Sequence, residues 1–341
     1  MTTVDSSISR PGVGHALPRG SLRLESLGVR FRLGGRRRAI VSAVTDVSLT
    51  MLPGRVLAVV GESGCGKSAL ASAVLGLLPP NGEVRGRAFL HDTDAALDLA
   101  HCPEPILASH IRGRRIALIP QSAATHLTPV RTAASQVAET VRTLEPGCRN
   151  VPKRLHELAD EVGLDHDDLD RYPHELSGGM AQRVALAMVL AGDPDVVVAD
   201  EPTTGLDRAL AERAIAILRT LADQGRTVLL VTHDIAAANR VADDVAVMYA
   251  SRLLEVGPAA QVLNEPWHDY TNALLSALPE HGLIPLPGPP PELTDLGSGC
   301  PFHQRVAGDC DGRPMLSLDG DRWVACGRGE QPMSVQDVTS C

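Results

Sequence analysis

The chain has 341 residues, 44% hydrophobic and 21% charged, a composition typical of a globular protein with two or three structural units. The formal net charge of −9 argues against a general nucleic-acid-binding surface, because such surfaces are usually basic. No window approaches the run of about 18 apolar residues that a membrane helix needs, and the polar N-terminus does not resemble a signal peptide, so we expect a cytosolic protein.

The first part of the chain predicts a disordered tail, two strands and a strand followed by a helix. Residues 1–20 contain Pro, Gly and Ser without hydrophobic periodicity, which is typical of disorder. Alternating apolar residues over 22–31 and 39–49 predict antiparallel strands. A buried strand over 55–60 leads into glycine-rich sequence, and a helical pattern over 67–78 stops at two prolines.

Helices and strands alternate in the second part of the chain. Residues 130–191 are mostly helical in period, and the continuous apolar run 196–199 is typical of a parallel strand covered on both faces. A helix begins near Asp207, and further strands are predicted over 227–231 and 244–249. The fold class is therefore α/β with a helical insertion.

The composition changes near residue 278, where a proline-rich segment begins. We therefore divide the chain into a tail (1–20), one main domain (21–278) and a cysteine-bearing C-terminal extension (279–341). The helical insertion in the main domain covers about residues 122–192.

A phosphate-binding loop is predicted at GESGCGKS, which fits the pattern G-x-x-x-x-G-K-[ST] and lies between a strand and a helix. Glycines allow backbone N–H groups to converge on phosphate oxygens, while Lys67 would reach the β and γ phosphates and Ser68 would ligate Mg²⁺. The alternative is a glycine-rich turn that binds nothing. The predicted nucleotide contacts are Gly61, Glu62, Ser63, Gly64, Cys65, Gly66, Lys67 and Ser68.

Polar residues at the ends of three apolar runs complete a candidate catalytic site. VVVADE ends in Asp200, which would orient Mg²⁺, and Glu201, which would polarise an attacking water. His233 ends LLVTH and would sense the γ phosphate, and Gln121 follows IALIP and would ligate the metal or the water. Each has a simpler alternative as a polar residue where a strand or loop meets solvent.

A second anion site is predicted at HELSGGMAQRV, where Ser177, Gly178 and Gly179 precede a helical pattern. A helix N-terminus attracts anions through its free N–H groups. No lysine stands nearby to hold a phosphate, so the anion would have to come from elsewhere.

Together these motifs, in this order and spacing, resemble the nucleotide-binding subunit of an ABC transporter over about residues 21–278. The resemblance implies a P-loop NTPase fold with an antiparallel β subdomain and a helical subdomain, and ATP with Mg²⁺ as ligands. It also implies that Ser177, Gly178 and Gly179 clamp the γ phosphate of ATP held by a partner subunit, with Asp207 at that interface. Phe31 matches the aromatic that stacks on adenine; a core aromatic is the alternative.

LSGGMAQRV, ADEPTTGLD and WHDYTNALLSALP further resemble the D-type subunit of the oligopeptide/dipeptide/nickel importer group. This resemblance implies a second, non-identical ATPase subunit, two membrane permease subunits and an extracellular solute-binding protein, with the chain peripheral on the cytoplasmic face of the membrane. Ser122 and Ala123 replace the group's usual Asp-Pro, which leaves partner and substrate open. Two alternatives are a soluble ABC ATPase not coupled to transport and a binding-only module.

The C-terminal cysteines resemble the cysteine-bearing extension of the same group, which can hold a [4Fe-4S] cluster on four thiolates. The candidate ligands are Cys300, Cys310 and Cys326. Val306 occupies the place of one family cysteine, so His303 or Cys341 would have to substitute, or one iron would stay open. The alternative that we prefer is a tail of thiols packed against the core.

Overall fold

The computed structural model describes residues 17–34, 39–93, 95–121, 126–297, 299–306 and 322–325. The strands are β1 (Leu22–Leu33), β2 (Ala39–Met51), β3 (Val56–Val60), β4 (Gly82–His91), β5 (Ala96–Asp98), β6 (Ile116–Ile119), β7 (Val196–Asp200), β8 (Thr227–Thr232), β9 (Asp244–Tyr249), β10 (Arg252–Pro258) and β11 (Trp323–Val324). The main helices are α1 (Lys67–Val74), α2 (Ala133–Leu144), α3 (Val151–Val162), α4 (Gly178–Leu190), α5 (Arg208–Asp223), α6 (Ile235–Val241), α7 (Ala259–Asn264), α8 (Asp269–Ser276) and α9 (Pro301–Arg305). Short helical turns lie at Leu99–His101, Glu104–Ile106, Leu107–Ile111, His166–Asp170, Pro173–Glu175 and Pro279–His281.

The described residues form two sheets, and the fold class is confirmed as α/β. An antiparallel sheet has the order β2-β1-β4-β5, and a larger sheet has the order β11-β10-β9-β3-β8-β7-β6. In the larger sheet β9, β3, β8, β7 and β6 are parallel, while β10 and β11 add antiparallel strands at one edge. The predicted pairing of the first two strands is also confirmed, with Leu24 opposite Leu49 and Phe31 opposite Val41.

The larger sheet separates two hydrophobic clusters because successive side chains of a strand point to opposite faces. In β3, Val56, Ala58 and Val60 face the helices on one side. Leu57 and Val59 face α1 and the antiparallel sheet on the other side. All five residues are buried, which explains why this strand is continuously apolar rather than alternating.

The helices of the predicted insertion pack on one another and on the same face of the larger sheet. Val137 of α2, Leu158 of α3 and Val184 of α4 are fully buried in one cluster with the strand residues. Side-chain caps begin these helices, such as the Thr132 hydroxyl, which accepts the N–H of Ser135.

Two local predictions are corrected. The helix predicted over 67–78 ends at Val74, because Gly76 adopts a left-handed φ of 62° that stops the helix before the prolines. Residues 1–16 of the predicted tail lie outside the described residues, but Gly20 is bonded to the core. Its N–H donates to the carbonyl of His91 at 3.0 Å, and its carbonyl accepts the Thr227 hydroxyl at 2.7 Å.

The C-terminal extension returns to the main domain in its described parts. Phe302 of α9 is 1% exposed and belongs to the helix-side core, and β11 pairs with β10, with Val324 opposite Glu255. The low periodicity of this region does not predict such packing. In the described part of the chain, no helix is long and apolar enough to cross a membrane.

Candidate active site

The phosphate loop connects β3 to α1 at the carboxyl edge of the parallel strands, as its motif predicts. Two glycines have no room for a side chain: a Cβ would lie 2.0 Å from the Met248 carbonyl oxygen at Gly61 and 1.9 Å from that of Ala43 at Gly66. Gly66 also has a φ of 113°, which L side chains rarely adopt. Gly66 is also the N-cap of α1, and no side chain caps the first N–H groups of this helix.

Lys67 places its ammonium group over the loop. Its Nζ donates to the carbonyl oxygens of Gly61 at 2.8 Å and Glu62 at 3.0 Å, and the residue is only 5% exposed. A cation held among loop carbonyls, at the positive end of a helix, makes this segment attractive to a polyphosphate.

Two of the three predicted Mg²⁺ ligands, Ser68 and Asp200, are in direct contact. The Ser68 hydroxyl donates to Oδ1 of Asp200 at 3.0 Å, across 132 positions of sequence. Burial raises the pKa of the Asp200 carboxyl, whereas the Ser68 hydrogen bond opposes this shift; the adjacent Glu201 raises the pKa further and Lys67 lowers it. Carboxylate and hydroxyl oxygens are the ligands that Mg²⁺ prefers.

Glu201 and His233 form a pair at the ends of β7 and β8. His233 Nδ1 lies 2.6 Å from Glu201 Oε2, and the Thr204 hydroxyl lies 3.4 Å from the same oxygen. The Glu201 backbone has φ 49°, in a region uncommon for non-glycine residues, and its N–H donates to the Val231 carbonyl. The carboxylate is held in one direction by its histidine neighbour.

Ser177 and Asp207 each cap a helix. The Ser177 hydroxyl accepts the Met180 N–H at the start of α4, and Asp207 Oδ1 accepts the Leu210 N–H at the start of α5. Gly179 lets Leu210 approach, because a Cβ there would lie 2.4 Å from a Leu210 methyl group. Among the described residues, these segments form no hydrogen bond with the phosphate loop of the same chain. A role at a partner's nucleotide therefore stays a prediction for Ser177, Gly178, Gly179 and Asp207.

In the part of the chain that the structure describes, two further predicted site residues, Gln121 and Phe31, form no hydrogen bond with the groups above. Gln121 is exposed and follows β6, which pairs with β7, so it lies on the carboxyl edge of the sheet. Ser122 and Ala123, which depart from the importer pattern, lie outside the described residues. Phe31 is half-buried on β1 and packs against the core under the antiparallel sheet, so stacking on adenine and core packing both stay open.

Residues outside the motifs of the nucleotide site also hold the phosphate loop. The Glu62 N–H donates to the Tyr270 hydroxyl oxygen at 3.1 Å, and Arg305 donates to Glu62 Oε2 at 2.8 Å. Tyr270 lies in α8 and Arg305 in α9, far away in sequence. No local pattern marks either residue as part of the site.

Comparisons with known proteins identify the family of this chain. The family model described as ABC transporter matches residues 44–204, and the model described as Oligopeptide/dipeptide transporter, C-terminal region, matches residues 254–307. A putative peptide import ATP-binding protein of Brucella melitensis is 36% identical over 319 residues, which cover 89% of this chain and 94% of that protein. The chain belongs to the ABC transporter family of ATP-binding proteins.

Other relatives of this chain are also named as transport ATP-binding proteins. The oligopeptide transport ATP-binding protein OppD of Mycobacterium tuberculosis is 38% identical over 91% of this chain, which spans about half (52%) of that relative's length. The probable D,D-dipeptide transport ATP-binding protein DdpD of Escherichia coli is 36% identical over 84% of the chain and 90% of that protein. An ATP-binding cassette solved as a dimer with ADP and Pi superposes with a TM-score of 0.58 at 25% identity, covering 70% of this chain and 98% of that one.

Proposed function

We propose that the chain is the ATP-hydrolysing subunit of an ABC importer for peptides, nickel or related small solutes. The observation that carries this proposal is the assembly, at one sheet edge, of Lys67, the Ser68–Asp200 pair and the Glu201–His233 pair. A binding-only module has no need for a carboxylate held beside a histidine.

In this mechanism the loop N–H groups and Lys67 bind the phosphates of ATP. Ser68 and Asp200, with Gln121, would hold Mg²⁺, and the ion would supply positive charge against the phosphates. Glu201 polarises the water that attacks the γ phosphate and accepts its proton, while His233 holds the Glu201 carboxylate in position and would sense the γ phosphate. The products are ADP and inorganic phosphate.

Dimerisation would complete the site. Ser177, Gly178 and Gly179 at the α4 N-terminus would contact the γ phosphate bound by a second, non-identical ATPase subunit. ATP then draws the two subunits together and hydrolysis releases them. The similarity to a cassette solved as a dimer with ADP and Pi supports this proposal.

An apolar groove supports coupling to membrane subunits. A cavity of about 300 Å³ lies between the larger sheet and α4, and its lining includes Leu118, Met188 and Val189, with Leu77 46% exposed at the surface. We propose that one of the two permease subunits docks here on the cytoplasmic face of the membrane, and that an extracellular solute-binding protein delivers the substrate. The match to the importer C-terminal region favours this over a soluble ABC ATPase.

Reconstitution tests the proposal. The chain, co-expressed with its partner ATPase and permeases, should co-purify with the permeases and hydrolyse ATP in the presence of Mg²⁺. Lys67→Ala should abolish this turnover by removing the phosphate-binding cation. Turnover that is equal in the variant, or a chain that never associates with permeases, would contradict the proposed role.

For the cysteines, we propose thiols packed against the core rather than an iron–sulfur cluster. Cys300 Sγ is buried and lies 3.5 Å from His268 Nε2, while Cys310 and Cys326 lie outside the described residues. Three matched cysteines do not complete a four-thiolate site. Protein purified without oxygen should contain no iron or acid-labile sulfide; near-stoichiometric amounts of both, lost in Cys300→Ser, would contradict this proposal.

A further inference from the structure

The C-terminal extension packs next to the phosphate loop through aromatic side chains. Phe302 of α9 lies edge-on to Tyr249, with ring centroids 5.9 Å apart, and 5.4 Å from Tyr270. Tyr249 ends β9, and Tyr270 accepts the N–H of Glu62 in the loop. Two of the chain's three tyrosines thus lie between the extension and the nucleotide site.

Arg305, at the end of α9, reaches across this aromatic cluster to the loop. Its guanidinium donates to Glu62 Oε2 at 2.8 Å and to the Tyr249 hydroxyl at 3.1 Å, and lies 5.8 Å from the Tyr249 ring centroid. The carbonyls of Pro287 and Gly288, within the proline-rich segment, accept its remaining hydrogen bonds. The side chain is only 4% exposed, so its direction is set by these partners.

Glu62 is an unfavourable residue for its position unless its charge is balanced. It is the second residue of a loop that would bind a polyphosphate, and a carboxylate there repels the ligand. Its side chain is 23% exposed, so water screens the charge only in part. Arg305 balances this charge and pulls the carboxylate toward the extension, while Tyr270 holds the backbone N–H of the same residue.

We propose that Arg305 is a positioning residue for the nucleotide site: it neutralises Glu62 and holds it toward the extension, so that nucleotide affinity depends on the C-terminal extension. The ion pair joins residues 243 positions apart in sequence. This inference rests on the proposed binding of ATP at the phosphate loop, but it concerns a contact that the loop motif does not contain.

The test measures the affinity of the full-length chain for ATP with Mg²⁺ by calorimetry, beside urea unfolding of each variant. Arg305→Met should weaken ATP binding about tenfold, because the carboxylate is then unbalanced. Arg305→Lys keeps the charge and should stay within about threefold of the unchanged protein. Should Arg305→Met not fold, Arg305→Gln replaces it in the same comparison.

A double variant separates charge balance from packing. Glu62→Gln removes the repulsive charge, and its own ATP affinity is the reference for the second substitution. In the Glu62→Gln background, Arg305→Met should have less than about a threefold effect, because no carboxylate is left to neutralise. Equal tenfold losses in both backgrounds would mean that Arg305 acts through general packing, and would overturn the inference.

Arg252 provides a matched control. Its guanidinium also ties the extension to the core, donating to the carbonyls of Gly299 at 2.8 Å and Gly297 at 2.9 Å, and neither hydrogen bond reaches the loop. Arg252→Met should leave ATP affinity within about twofold. An equal loss in the Arg252 and Arg305 variants would overturn the inference, and so would no loss in either. If the unchanged chain binds no ATP, the proposed function fails instead.

Discussion

Two glutamates of the larger sheet differ in burial, and we expect them to differ in role. Glu201 follows β7 and pairs with His233, whose side chain is 61% exposed, whereas Glu255 in β10 is fully buried and pairs with Arg322, which is 3% exposed. Glu255 also accepts the backbone N–H groups of Trp267 and His268. The Glu201 side chain is 13% exposed and lies beside an exposed histidine at the sheet edge, whereas the fully buried Glu255 carboxylate is bonded to other groups of the protein.

The comparison teaches that the two regions should fail in different ways. We expect that removing the Glu201 charge lowers turnover more than stability, because its histidine partner is exposed to solvent. Removing a charge from the buried pair leaves its partner without compensation in a low-dielectric interior. The pair formed by Arg305 and Glu62 lies between these cases, since it joins the extension to the site.

The largest effect is expected for Glu201→Gln, which keeps the size of the side chain but removes the carboxylate. We expect turnover in the reconstituted transporter to fall by about 10² to 10⁴, with ATP binding retained and the ATP-bound dimer trapped. Steady-state hydrolysis and size-exclusion chromatography with ATP measure this. Turnover near that of the unchanged enzyme would remove Glu201 from the catalytic role.

Ser177→Arg tests whether α4 acts on a partner's nucleotide. The bulky side chain would keep the partner's γ phosphate from the helix N-terminus, and turnover at that site should fall about 10²-fold or more. ATP affinity of this chain's own phosphate loop should change by less than about twofold, as measured on the isolated subunit. Loss of that affinity would contradict action in trans.

Arg322→Met should break the buried pair and lower the free energy of unfolding by about 3 kcal/mol or more. The guanidinium lies 4.1 Å from the Trp267 ring centroid, so some packing is lost as well. Urea unfolding measures the change. The double variant Glu255→Gln with Arg322→Met should recover part of the stability, and an equal loss in the single and double variants would mean that packing dominates.

The smallest expected effect concerns pH. Because burial raises the pKa of Asp200, its carboxyl takes up a proton at a higher pH than an ordinary aspartate, and the protonated form is a poor Mg²⁺ ligand. Mg²⁺ affinity measured with ATP present should therefore fall several-fold between about pH 7.5 and about pH 5. Asp200→Asn should bind Mg²⁺ weakly and without this pH dependence; an identical profile would exclude Asp200 as its source.

Much of the site could be predicted from local sequence. GESGCGKS requires glycines at Gly61 and Gly66, and the structure gives the reason, since carbonyl oxygens lie where their side chains would be. The run VVVADE places a buried strand before Asp200 and Glu201, and continuous apolar residues identify such a strand. The predicted end of α1 is wrong. The two prolines after residue 78 indicate a later stop, but Gly76 adopts a left-handed conformation that ends the helix first.

The sequence by itself therefore determined the phosphate loop, the acidic strand end and the α/β alternation, because each depends on adjacent residues or on a short period. Only the tertiary structure decided which distant side chains meet. Arg305 contacts Glu62 across 243 positions, and Arg322 contacts Glu255 across 67, although no motif of the nucleotide site contains either arginine. Contacts of this kind depend on how the extension crosses the sheet edge, which no local pattern specifies.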